Sequence, residues 1–163
     1  MKIKGSWKLD EIKEFLNDST IPIRLSLIDN KGFPIVVSLW FIFINNKFWC
    51  AVQSDSKVAK MLKKSNNCGF EISNNSPPYM GVRGKGRVNI YNKKGKEVLK
   101  VLIKRYLTDS NNKLKKWLIK RSENEIAISI DPISLYSWDY SHRMKADSQS
   151  TEDKIISQEH YNS

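Results

Sequence analysis

Apolar residues recur at every second position over most of this chain and at helical spacing over a few short segments, the signatures of strand and helix. Ile21, Ile23, Leu25 and Leu27 alternate with Pro22, Arg24 and Ser26, which predicts a half-buried first strand. Asp29-Asn30-Lys31-Gly32 supplies turn chemistry. From Phe33 to Ile44 the chain is apolar at nearly every position, which predicts one second strand buried on both faces. Asn45-Asn46 is a tight turn, and Lys47 to Val52 returns as a third strand, so an antiparallel meander is expected. Cys68–Ser73, Tyr79–Tyr91 and Glu125–Trp138 read as strands four to six. Helical spacing joins Trp7, Ile12, Phe15 and Leu16, then Val58, Met61 and Leu62. It returns at Val98, Leu99, Leu102, Ile103 and Tyr106, and again at Leu114, Trp117, Leu118 and Ile119.

At 163 residues the chain is long enough for one core and too short for two. Residues 1–142 are expected to form the domain, and the polar stretch 143–163 a disordered tail. The net charge is +11, and eleven lysines and arginines fall between Lys93 and Arg121 against only Glu97 and Asp109. They lie on the outer faces of amphipathic helices, which reads as a solvated surface. A phosphate-tracking surface is the alternative, but no helix-turn-helix, zinc knuckle or base-stacking aromatic pair accompanies it. No apolar run approaches the roughly 20 residues of a membrane span, and MKIKGSWKLD has no signal-like apolar stretch, so a cytoplasmic protein is expected. Cys50 and Cys68 lack CxxC spacing and have only two histidines to help them, which argues against zinc and for core thiols.

Two segments carry candidate chemistry. In Gln53-Ser54-Asp55-Ser56-Lys57, hydroxyls, free backbone N–H groups at a helix start and a lysine are what a phosphate needs. The same residues read equally as a helix cap, with Lys57 in water. In the fifth strand, alternation puts Gly81, Arg83, Lys85 and Arg87 on one face and Val82, Gly84, Gly86 and Val88 on the other. Arg83 thus shares a face with a glycine that leaves room beside it, either for a ligand or simply on a curved, solvated strand. No Ser-His-Asp or Cys-His set is present, and His142 and His160 lie at or beyond the end of the core.

Taken in order, PIVVSLWF, the lysine closing QSDSK before a helix, PPYMGVRGKGRV, RYL in a helix and IDPISLYSWDY resemble the FMN-binding split-barrel family related to pyridoxamine 5′-phosphate oxidase, over most of Ile21 to His142. The resemblance implies a mainly β fold, a six-stranded antiparallel split β-barrel with flanking helices, assembled as a homodimer with two flavin sites at the subunit interface. It also implies an FMN-dependent oxidoreductase, or a flavin-binding protein, acting on a small-molecule redox substrate. Lys57 falls on the family's phosphate-contacting lysine, with Ser54 and Ser56 beside it. The backbone of Val37, Ser38, Leu39 and Trp40 falls on the strand along the ring edge. Arg83 points to the face that meets the cofactor, and Trp138 is placed to reach the flavin or the dimer seam. Ala51, Ser56 and Ile35 stand where firm FMN binders commonly have threonine, arginine and arginine. Fewer donors then face the phosphate, and a deazaflavin coenzyme is the alternative cofactor. Haem-binding relatives share the barrel, but a lone His142 is a poor axial ligand. The charge keeps open a non-enzymatic basic dimer that binds nucleic acid or another anion.

Overall fold

A computed structural model describes residues 1–145. Most of the expected tail, 146–163, lies outside the described residues. The order of elements is β1 (Lys2–Gly5), α1 (Leu9–Asp18), β2 (Ile23–Ile28), β3 (Pro34–Leu39), β4 (Ile42–Ile44), β5 (Lys47–Gln53) and α2 (Lys57–Leu62). There follow β6 (Asn67–Ser73), β7 (Met80–Tyr91), α3 (Gly95–Tyr106), α4 (Asn112–Lys120) and β8 (Glu125–Asp139). The described sheet therefore has eight strands rather than six.

The two additional strands have separate causes. β1 is short and polar, and it pairs in parallel with residues more than a hundred positions away, Lys2 opposite Ser134 through Gly5 opposite Ser137. No local periodicity announces such a strand. The apolar run from Phe33 to Ile44 is not one strand but two, broken at Trp40-Phe41. Sheet order is β3-β2-β6-β7-β8-β5-β4, so β3 and β4 lie at opposite ends of the path. The expected meander is thus two hairpins, β2–β3 and β4–β5, joined by a crossing of the barrel end. Nor is the run buried on both faces. β3 alternates exposed and half-buried residues, with Val36 63% exposed.

The turns follow their residue types. The Asp29 carboxylate accepts from the N–H groups of Lys31 at 2.8 Å and Phe33 at 2.9 Å, closing the β2–β3 turn. Asn45 and Asn46 both adopt positive φ, 53° and 59°, the pair that a tight β4–β5 hairpin requires.

β8 organises the rest. It pairs with β7 along its length, with β5 over Glu125–Ile130 and with β1 over Ser134–Ser137, so its two halves belong to different sides of the barrel. A register shift where Lys85 meets Ser134 and Gly86 meets Pro132 leaves Ile133 as a bulged residue at the changeover. Inward residues of the strands build one core in which Phe48 touches three rings: Phe41, Phe43 and Phe70, with centroids 5.5, 4.7 and 4.9 Å away. α1 closes one end with fully buried Ile12 and Leu16. Its C-terminal carbonyls are held from α3, where Arg105 donates to Leu16 O at 2.8 Å and also to Ser19 O. α3 packs Val98 and Leu102 against Ala127, with Trp40, Trp49 and Tyr106 around them, so β5 and β8 are covered on both faces.

Candidate functional site

A groove of about 310 Å³ opens where the end of β3, the edge of β5 and the start of α2 face α4. Its floor is apolar: Leu39, Ala51, Val52 and Val58. Its rim is polar, from Gln53, Ser56, Arg121 and Glu125, and Trp117 and Leu118 of α4 form the remaining wall. Gln53 and Glu125 are opposite residues in the β5–β8 ladder. The Gln53 amide donates to Glu125 Oε1 and, at 3.4 Å, to the carbonyl of Arg121. Glu125 Oε2 is buried and has no hydrogen-bond partner. Burial pushes the Glu125 carboxyl above the ordinary range, while Gln53 and the Arg121 charge oppose the shift. The Arg121 guanidinium lies 4.6 Å from the centre of the Trp117 ring.

The residues expected from sequence fall into two groups. Leu39 and Ser56 line this groove. The Ser56 hydroxyl accepts from the Ala59 N–H at 3.2 Å, so it caps α2. α2 is only six residues long, which keeps its dipole small. The Ser54 N–H donates to Asn124 O at 2.9 Å and is not free for a phosphate. Lys57 follows Ser56 and lines a neighbouring groove of about 560 Å³ with Lys31, Lys60, Lys63 and Lys64. None of these five lysines pairs with a carboxylate among the described residues.

β3 divides its residues by pleat. Val37 packs on the core, whereas Ser38 faces outward. Only β2 pairs with β3 in the sheet, leaving its other edge of backbone donors and acceptors unpaired by strands. The Trp40 ring is stacked on Tyr106, centroids 5.1 Å apart at 8°, and its polar backbone lies at the crossing. Ladder register places Ser38, Arg24, Glu71, Arg83 and Tyr136 in one row across the outer face. Three strand spacings, about 14 Å, therefore separate Ser38 from Arg83. Arg83 lies over Tyr136 at 4.9 Å and Trp138 at 5.8 Å, and has no ion-pair partner among the described residues. It lines a shallow groove of about 520 Å³ with Arg24, Val36 and Tyr136. The space beside Gly81 is already taken, since a β-carbon there would come within 2.8 Å of the Trp138 ring. Arg24, by contrast, is engaged by Glu71 at 3.3 Å, the Ser73 hydroxyl at 3.1 Å and Asn75 at 2.7 Å.

Sequence reasoning missed Gln53, Trp117, Arg121 and Glu125 as members of one site. Gln53 sits at the head of the QSDSK segment. Trp117 has helical spacing, but that pattern reads as core, and only the fold brings α4 to the groove.

Comparison with known proteins places this geometry. No family model matches the sequence, and no curated protein matches it. Solved structures do. A conserved hypothetical protein from Mycobacterium tuberculosis is 20% identical with TM-score 0.69, over 84% of this chain and 88% of that one. An F420 reductase is 17% identical with TM-score 0.62, over 75% of this chain and 94% of its own. A protein related to general stress protein 26, of the pyridoxinephosphate oxidase family, from Clostridium acetobutylicum is 16% identical with TM-score 0.61, over 82% and 89% of the two chains. The fold is the split barrel that these structures share. In this split barrel the gap between the terminal strands β3 and β4 is crossed by Trp40-Phe41, and the groove opens beside that crossing. No helix among the described residues is long and apolar enough to cross a membrane.

Proposed function

We propose that the protein binds FMN and acts as a flavin-dependent oxidoreductase on a small molecule, with the ring in the groove between β5 and α4. The observation that carries this reading is the joining of an apolar floor, Leu39, Ala51 and Val58, to a polar rim in which the Gln53 amide is paired with Glu125. A planar ring with a polar edge meets both demands, and a groove of about 310 Å³ is at the lower end of the size range for small-molecule sites. When bound, the flavin supplies the electron-transfer chemistry. The chain's own residues do the rest. Leu39, Ala51 and Val58 exclude water from one ring face, and Gln53 and Glu125 hold the polar edge. The Lys57 ammonium, on the residue between the groove-lining Ser56 and Val58, takes the phosphate in place of the spent Ser54 N–H and the short α2 dipole.

The same reading includes a pair of chains. Val36, Ile28, Ile133 and Tyr136 are exposed apolar residues of the outer sheet face. A second copy packed there would bury them, and Arg83 and Trp138 lie on that face. A deazaflavin coenzyme is the second reading. It is favoured by the five lysines around the groove at Lys57, which suit a longer anionic tail, and by the likeness to an F420 reductase.

Titration of the protein with FMN, followed by flavin fluorescence, tests the reading. Saturable quenching is expected, with Lys57→Ala weakening binding by about 1–3 kcal/mol. Absence of binding to either FMN or the deazaflavin at high micromolar concentration overturns it.

A further inference from the structure

The helix α4 carries an apolar stripe that the protein itself leaves uncovered. Leu114, Trp117 and Leu118 fall at i, i+3 and i+4, with Arg121 continuing the stripe, while Lys113, Lys116 and Lys120 occupy another side. No residue of α4 is buried: Leu114 is 40% and Trp117 51% exposed. A half-exposed tryptophan on a structured helix leaves a large apolar ring in water. The helix is flanked at both ends by single 3-10 turns, Asp109–Asn111 and Ser122–Asn124.

The position of the stripe says what covers it. Trp117, Leu118 and Arg121 form the wall of the groove opposite Leu39 and Val58, so a flat molecule between the walls would contact the tryptophan ring on one side and the barrel on the other. Charge agrees with this geometry. Arg121 has no ion-pair partner among the described residues, its guanidinium lies 4.6 Å from the centre of the Trp117 ring, and its carbonyl accepts from the Gln53 amide at 3.4 Å, which sets it beside the Gln53–Glu125 pair.

We propose that α4 is the cover of this site, that Trp117 stacks on a planar heterocycle held in the groove, and that Arg121 meets the electron-rich edge of that ring. The proposal rests on the flavin reading and adds to it the residues that recognise the ring rather than the phosphate. Arg121 then serves for charge and Trp117 for contact area, and the helix gains through its ligand the burial that it lacks alone.

Riboflavin, which carries the ring without the phosphate, separates the parts. Wild type, Trp117→Ala, Trp117→Phe and Lys57→Ala are titrated with riboflavin and with FMN, and hydrogen exchange is followed over residues 109–124 with and without ligand. Because Trp117 is half exposed, its variants are expected to keep the wild-type circular dichroism spectrum. The expected result is that Trp117→Ala weakens both flavins by the same factor, roughly tenfold, with most of the affinity restored in Trp117→Phe. Lys57→Ala weakens FMN alone. Ligand slows exchange in α4 of wild type and not of Trp117→Ala. If wild type binds FMN but Trp117→Ala binds it equally well and exchange in α4 is unchanged, α4 is not the cover, and the flavin reading stands without it. If wild type binds neither flavin, both fall together.

Discussion

The hydroxyl of Tyr106 holds both backbone groups of Phe41, accepting from its N–H at 3.2 Å and donating to its carbonyl at 3.3 Å. Phe41 is the fully buried residue at which the chain crosses from one terminal strand of the sheet to the other. At the crossing no strand partner is available for either group, so a side chain from α3 takes the place of a ladder. Burial pushes the Tyr106 hydroxyl above its ordinary range, which keeps it neutral and able to donate. Removing it strands two backbone groups. Tyr106→Phe is expected to lower stability by about 1–3 kcal/mol in urea unfolding, and a change within error would show that water satisfies Phe41 instead.

Two glycines on neighbouring strands differ in what surrounds them. A β-carbon on Gly84 would lie 2.2 Å from the Ser134 carbonyl oxygen and 2.6 Å from the Phe70 ring, whereas one on Gly69 would have nothing nearer than Ser26 Cβ at 3.7 Å. Gly84→Ala is therefore expected to cost about 3 kcal/mol, since backbone must move. Gly69→Ala should be neutral, or stabilising by up to about 1 kcal/mol through reduced freedom of the unfolded chain. Equal losses in the two variants would contradict the packing at Gly84.

Glu125 ties stability to pH. A carboxyl with a raised folded-state pKa holds its proton more tightly folded than unfolded. Its favourable contribution is complete below the unfolded carboxylate range and is lost as pH rises through the raised value. Glu125→Gln removes that loss while keeping an oxygen for the Gln53 amide. The melting temperature of the variant should thus match wild type near about pH 4 and exceed it at neutral pH. A variant less stable than wild type at neutral pH would show that the ionised carboxylate is supported by Arg121 after all.

Assembly can be read from one exposed valine. Light scattering at micromolar concentration should give the mass of two chains, and Val36→Asp should shift it towards one chain without altering the circular dichroism spectrum, because Val36 is 63% exposed in the single chain. At least a tenfold loss in dimer affinity is expected for a charge placed in an apolar contact. A wild-type monomer would remove the outer face from the proposed function.

Alternation made β2, β6 and β7 legible, since each buries one face more deeply than the other. β5 and β8 keep an alternating apolar set, at Phe48, Cys50 and Val52 and at Ile126, Ile128 and Ile130, although α3 covers their second face. The break between β3 and β4 was not, because Leu39-Trp40-Phe41 contains no glycine, proline or asparagine to mark it. The crossing is stabilised by Tyr106 and by the stack on Trp40, both tertiary. Ser56 illustrates the ambiguity of a short motif. The residues that suit a phosphate also suit a cap, and the structure shows the cap. Of the groove, Leu39 and Ser56 are expected from the sequence as cofactor contacts, with Gln53 and Ala51 marked only as the head of the QSDSK segment and as a departure from the family pattern. Glu125 and Gln53 meet through strand register, and Trp117 comes to the site on a helix whose pattern suggests core.

β8 has a bearing on how the barrel comes into being. It is the strand that β1, β5 and β7 all require, yet it is the latest of the described strands to leave the ribosome. Until Asp139 has emerged, β1 has no partner, β5 has only the three-residue β4, and β7 has one free edge. Local hairpins can close early, but the core around Phe48 stays open on one side throughout synthesis up to that point. Completion then depends on pairings that span most of the chain, the circumstance in which folding is slow and exposed strand edges invite association with other nascent chains.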